Sequence, residues 1–148
     1  MIGCTVVGKI YSELLTLISN SIIWAALSAA DTAATPPLWA APLWAVRRQE
    51  GCVRFSYLPE GAIVPRRFKC VEQAVGVPQP LFYSLSYGDP PYMKLAPVTD
   101  DAIRRGADDG GEMGAFHFVL ATLRETDLRV RMQEFLPVGL EFGVFYEN

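Results

Sequence analysis

Cys4-Thr5-Val6-Val7-Gly8-Lys9-Ile10 is echoed by Asn20-Ser21-Ile22-Ile23-Trp24-Ala25-Ala26, and that echo decides how the chain is expected to fold. Both runs are short, rich in β-branched residues and punctuated by turn formers. A repeat of about 16 to 20 residues with short strands has the size of one coil of a parallel β-solenoid, in which each coil covers the apolar face of the last. Two such coils cannot bury a continuous core, because stacked repeats need about three units and a cap. The expectation is a truncated array, with upstream β-helix coils of the same chain ahead of Met1 and an open strand edge where they would stack.

Working outward, residues 31–42 turn to Ala, Thr and Pro. Pro36, Pro37 and Pro42 bar a helix or a central strand there, leaving Trp39 and Trp44 as isolated anchors on an excursion. Residues 52–58 alternate apolar and polar side chains and run into Pro59-Glu60-Gly61, a strand entering a turn, and residues 66–70 form a second strand. Four prolines, Pro78, Pro80, Pro90 and Pro91, frame an extended arm over Phe82-Tyr83-Ser84-Leu85-Ser86-Tyr87.

A short helix is expected next, with Thr99 as N-cap, Asp100 and Asp101 at the positive end of its dipole, Val98 stapled onto Ile103, and Gly106 ending it. The clearest helix covers residues 123–136. Thr122 and Glu125 have the spacing of a capping box, and Leu128, Met132, Phe135 and Leu136 share one face. Glu125 with Arg129 and Asp127 with Arg131 are opposite charges at i, i+4. That apolar face predicts a docked helix, in which Leu128→Asp would bury an unpaired charge. Pro137 stops the helix and residues 140–146 return as a strand.

The fold class expected is therefore mainly β with minor α. Partial right-handed parallel β-helix coils with the Pro/Ala-rich excursion occupy residues 1–46, a β-rich segment residues 47–92, and a C-terminal capping helix and strand residues 93–148.

A composition of 51% hydrophobic and 20% charged residues is that of a folding chain, and 148 residues suit one domain. The net charge of −3 offers no global attraction to phosphate, so no nucleic-acid partner is expected. Cys4, Cys52 and Cys70 are an odd number at irregular spacing and do not read as a disulfide framework. The stretch over residues 10–30 is interrupted by Glu13, Thr16, Ser19, Asn20 and Ser21, too often for a membrane span. A cleaved signal ending near Ala30 stays open as an alternative.

The runs Arg48-Gln49-Glu50-Gly51-Cys52-Val53-Arg54-Phe55-Ser56-Tyr57-Leu58-Pro59 and Pro65-Arg66-Arg67-Phe68-Lys69-Cys70 resemble the C-terminal region of a family of large uncharacterised bacterial β-helical proteins. So do Tyr87-Gly88-Asp89-Pro90, the stretch from Arg104 to His117, and the ending Leu140-Glu141-Phe142-Gly143-Val144-Phe145-Tyr146. Those proteins are associated with phage-tail-like, extracellular contractile injection systems. The resemblance implies a β-helical accessory component with protein partners in a larger assembly, and it implies no chemistry. Pro137 departs from the family pattern, which has a helix-compatible residue there.

Candidate sites are few. Asp108, Asp109, Glu112 and His117 are the one cluster of metal-ligating types, and their hard oxygens suit Mg²⁺ or Ca²⁺. The alternating acids and glycine of a calcium loop are missing, so the expectation is a glycine-rich turn with solvated acids and no cofactor. Cys52 and Cys70 bracket two strands and could face each other across a hairpin-like pair, which spacing alone does not show; they are expected as free thiols that pack as small hydrophobes. Arg47, Arg48, Arg54, Arg66, Arg67 and Lys69, interleaved with Phe55, Tyr57 and Phe68, are expected on a solvated strand face or in ion pairs with the acidic C-terminal half.

Catalysis is not expected. The chain lacks a Gly-x-Ser-x-Gly elbow, has a single histidine, and offers only scattered carboxylates, Glu50, Glu60, Asp89 and Asp108, for glycosidic chemistry. The expectation is a noncatalytic structural or interaction component, cytoplasmic or particle-associated. The alternative is a secreted or surface module that binds carbohydrate or protein through Trp39, Trp44 and the prolyl loops once a signal segment has gone.

Overall fold

The computed structural model describes residues 1–24, 42–74 and 76–144. The β-branched runs form nine short strands: β1 (Thr5–Val7), β2 (Ile10–Leu14), β3 (Leu17–Ser19), β4 (Ile22–Trp24), β5 (Leu43–Arg47), β6 (Cys52–Arg54), β7 (Tyr57–Leu58), β8 (Arg66–Phe68) and β9 (Val71–Glu72). They pair into three sheets, in the orders β1-β4-β7-β9, β2-β5 and β3-β6-β8, and every pair is parallel. A four-residue helix α1 (Asp101–Arg104), a 3₁₀ turn (His117–Val119) and helix α2 (Ala121–Phe135) follow.

This corrects the expected fold. In place of partial right-handed β-helix coils at the N-terminus, followed by a β-rich segment and a capping helix and strand, the described residues form three small parallel sheets and one long helix. The strands after residue 46 do not build a further segment behind the first ones. They pair directly with them, β4 with β7 and β3 with β6. The physical reason is the core: Leu15, Ile18 and Ile23 find their apolar partners in Leu43, Ala45, Val53, Leu58 and Ala62.

The inner strands of the four-stranded sheet, β4 and β7, are buried on both faces. Ile23 of β4 and Leu58 of β7 point into the core that all three sheets share. Their neighbours Ile22 and Tyr57 point the other way, onto Leu95, Ile103 and Met113 of the C-terminal half.

 Leu95 and Met113 thus close the outer face of this sheet, which is why β4 and β7 read as unbroken apolar runs instead of alternating ones.

The corners between sheets carry a second regularity. Gly3, Asn20, Phe55 and Lys69 all have positive φ, between 47° and 56°. Each is followed by a small side chain, Cys4, Ser21, Ser56 or Cys70, that donates to the carbonyl two residues back, at 3.3, 2.8, 2.7 and 3.5 Å. The serines also accept from the neighbouring corner: Cys4 N donates to Ser21 Oγ and Ser21 N to Ser56 Oγ, both at 3.2 Å. These corners set the register. The sequence echo placed Thr5 opposite Ser21, whereas the sheet pairs Thr5 with Ile22. A one-residue slip turns each side chain to the opposite face.

Several local expectations are also corrected. Asp100, not Thr99, caps α1, and Thr99 instead bonds both the N–H and the carbonyl of Leu81. Val98 is exposed while Ile103 is buried, so no staple forms between them. Leu120, in a left-handed conformation, precedes α2, and Thr122 lies inside the helix without a capping bond. Leu128, Met132 and Phe135 are 49%, 42% and 83% exposed, so the helix is not docked through that face. Residues 140–144 form no strand, and the remainder of that expected strand lies outside the described residues, as do Trp39 and most of the excursion over residues 31–42. The arm over residues 82–87 reduces to two isolated bridges, Phe82 with Leu95 and Ser84 with Tyr92.

Candidate functional site

Three of the four expected metal-ligating residues meet. One ligand atom from each of Asp108, Asp109 and His117 lies within 4.8 Å of the others, while Glu112 is not part of the group. Its contribution is through the backbone: His117 Nδ1 sits 3.0 Å from the Glu112 carbonyl. A carbonyl only accepts, so Nδ1 donates there and Nε2 faces the cluster. Asp109 Oδ2 stands 3.6 Å from Nε2, and Asp109 Oδ1 accepts from the Gly111 N–H at 2.9 Å.

The residue that organises this cluster is Asn20, 88 positions before Asp108. Its buried amide donates to Asp108 Oδ1 at 2.6 Å, reaches His117 Nε2 at 3.3 Å, and accepts from the Asp108 N–H at 3.3 Å. Asn20 belongs to the left-handed corner between β3 and β4, a conformation that asparagine tolerates better than most residues. Sequence reasoning missed it. The available signal was the Ser-Asn-Ser turn between two apolar runs, which marks a corner but says nothing of a partner so far away.

The same corner fastens the following loop. Gly114 N donates to the Asn20 carbonyl at 2.9 Å, and Ala115 N to Thr5 Oγ1 at 2.9 Å. Gly114 has φ +104°, and a Cβ there would stand 2.6 Å from Thr5 Oγ1, so only glycine allows so close an approach. The segment around Asp108 to His117 is therefore clasped to β1 and β4. Chemically, two carboxylates and an imidazole nitrogen form a mixed oxygen and nitrogen donor set. The residues that could hold a metal are Asp108, Asp109 and His117, and their donor types suit a borderline transition ion better than Ca²⁺, which takes six to eight oxygens.

Glu112 is buried beside the clasp. Burial pushes its carboxyl above the ordinary glutamate range, opposed in part by the charges of Arg104, Lys94 and His117. Nearby, Glu125 at the start of α2 accepts from Arg104 at 2.9 Å and from Arg129 at 2.6 Å, and Asp127 pairs with Arg131 at 3.0 Å. The first of these ties α2 to α1.

The cysteines are free thiols, with Cys70 packed against the core, and the basic residues lie exposed, as expected; the strand pairing and the ion partners differ. Cys52 opens β6 in register with Arg66, and β6 and β8 run parallel, so no hairpin relates Cys52 to Cys70. Both are half-buried free thiols, and burial pushes the Cys70 thiol up. Arg47 pairs with Glu13 and Arg67 with Glu72, so these partners come from the strand region and not from the acidic C-terminal half. Arg54 donates to Ser19 Oγ at 3.2 Å, and the Lys69 ammonium stands over Phe55 and Phe68 at 5.7 and 5.8 Å. Glu50, Glu60 and Asp89 are exposed, and Asp89 accepts from Ser84 Oγ at 2.6 Å.

No helix among the described residues is long and apolar enough to cross a membrane. Comparison with family models, curated proteins and solved structures finds no match.

Proposed function

We propose that the chain is a noncatalytic structural and interaction component, an accessory part of a phage-tail-like contractile injection particle. One observation carries the interaction half of this reading: from residue 126 to residue 135 every position of α2 is exposed, apolar side chains included. An isolated helix of that length is marginal in water and draws its stability from packing against something else. The particle half rests on the sequence motifs from Arg48 to Pro59, Pro65 to Cys70 and Arg104 to His117.

The reading is tested by isolating contractile particles from cells that carry a tagged copy of the chain. The chain is expected to sediment with intact particles in a fixed ratio to a sheath protein and to resist a salt wash. A tag found wholly in the soluble or exported fraction overturns the particle assignment. The secreted-module alternative has less support, because the residues that a signal would remove supply β1, β2, β3 and β4. Of its two tryptophans, Trp44 packs edge-on against Tyr11 within the β2-β5 sheet, with ring centroids 5.1 Å apart.

A further inference from the structure

The clasp at Asn20 also gathers a set of ligands. Asp108 and Asp109 stand at one end of the loop over residues 108–117 and His117 at the other, and one donor atom from each lies within 4.8 Å of the other two. Asp109 Oδ2 and His117 Nε2 are 3.6 Å apart. That is longer than a hydrogen bond, and close to the separation of about 3.4 Å between two ligands that each sit about 2.1 Å from one tetrahedral zinc. Each ligand is held by a group that is not itself a ligand. His117 Nδ1 donates to the Glu112 carbonyl at 3.0 Å, which places the lone pair of the neutral ring at Nε2. The Gly111 N–H donates to Asp109 Oδ1 at 2.9 Å and leaves Oδ2 to face the imidazole. The Asn20 amide, 3% exposed, donates to Asp108 Oδ1 at 2.6 Å. Outer partners of this kind orient the ligands of a metal ion and strengthen its binding.

We infer that Asp108, Asp109 and His117 bind one divalent transition ion of the zinc class, and that the ion fastens the two ends of the loop over residues 108–117 at the Asn20 corner. Such a site is independent of the interaction reading above. The donor atoms select the ion. A dication balances two carboxylates around a neutral imidazole, and the nitrogen donor disfavours Mg²⁺ and Ca²⁺, which take oxygen. Nε2 exchanges its 3.3 Å contact with Asn20 for the ion, whereas Asp108 Oδ1 keeps its bond from Asn20 and offers a second lone pair. Asp108 and Asp109 are exposed, so the ion enters from solvent and its remaining position goes to water. Without the ion two carboxylates repel each other across this space; with it, both are drawn to one centre.

The test uses the full chain, freed of metal with EDTA, and Zn²⁺, Mg²⁺ and Ca²⁺ as probes. Calorimetric titration with Zn²⁺ is expected to show one ion per chain, bound at least about tenfold more tightly than Mg²⁺ or Ca²⁺. His117 is the only histidine of the chain, so its ring nitrogens give a single pair of signals in a ¹⁵N spectrum. Zn²⁺ should move the Nε2 signal and leave Nδ1 protonated. Asp109→Asn and His117→Gln should each weaken Zn²⁺ binding by at least about tenfold. Asp109→Asn should do so without changing the melting temperature of the metal-free chain, because an asparagine Oδ1 still accepts from Gly111. Saturating Zn²⁺ should raise the melting temperature of the parent chain by at least about 4 °C and leave that of Asp109→Asn where it was. Absence of Zn²⁺ binding, binding of Mg²⁺ or Ca²⁺ as tight as that of Zn²⁺, or an Nε2 signal that ignores the ion overturns the inference. So does Zn²⁺ binding that survives Asp109→Asn and His117→Gln; its loss in a chain carrying Cys52→Ser and Cys70→Ser would then give the ion to the thiols.

Discussion

The strand region and helix α2 use the same kinds of side chain to opposite ends. Ile18, Ile23, Val53 and Leu58 are fully buried among the three sheets, whereas Leu128, Met132 and Phe135 stand in the open. Apolar side chains recur along both, although in α2 Leu123 and Val130 lie outside the stripe of Leu128, Met132 and Phe135. The difference teaches that a periodic face states only that something apolar belongs against it. In the strands that something is the rest of the chain, and in α2 it is not found among the described residues.

The comparison breaks most sharply at Ile23. Ile23→Ala removes packing from a core to which all three sheets contribute, and it is expected to cost about 2–5 kcal/mol. Denaturant unfolding measures this; a loss below about 1 kcal/mol would mean that the sheets do not share one core.

Glu112 sharpens the comparison at the joint between the two regions. With its folded pKa raised by burial, the folded state binds more protons than the unfolded state between the ordinary glutamate value, about 4.3, and the raised one. Stability should therefore fall as pH climbs through that window. Glu112→Gln removes this part of the pH dependence and is expected to raise the melting temperature at pH 7 by about 2–4 °C, the shift that roughly 1 kcal/mol gives in a chain of this size. Melting curves from pH 4 to pH 8 that keep the same slope in the variant would exclude a buried, ionising Glu112.

The smallest effect belongs to Leu128. On a docked helix Leu128→Asp would be severe, but on the exposed α2 it should change stability by less than about 0.5 kcal/mol. A melting temperature more than about 4 °C below that of the parent chain would show that α2 packs onto the body.

Legibility followed the range of the interaction that decides each feature. The strands at Cys52–Arg54 and Arg66–Phe68 could be read locally, because alternation and flanking turn residues act over a few positions, but the single strand expected over residues 52–58 breaks at Phe55 into two that join different sheets. The ion pairs Glu125 with Arg129 and Asp127 with Arg131 were legible for the same reason. The kink at Phe55 was not, since an aromatic residue seldom takes positive φ and nothing beside it announces one. In the candidate site, the residue types of Asp108, Asp109 and His117 were visible at once. Their grouping depends on Asn20, and a contact across 88 positions leaves no local pattern.

The amino-acid sequence alone marked the strands β1, β4, β6 and β8 and the one long helix, because alternation, turn chemistry and helical spacing are properties of neighbouring residues. Tertiary structure decided the register of β1 on β4, the separation of Glu112 from its neighbouring acids, and the exposure of α2. Each of these is set by which distant surface is present to accept a hydrogen bond or exclude water, and no window of sequence contains that information.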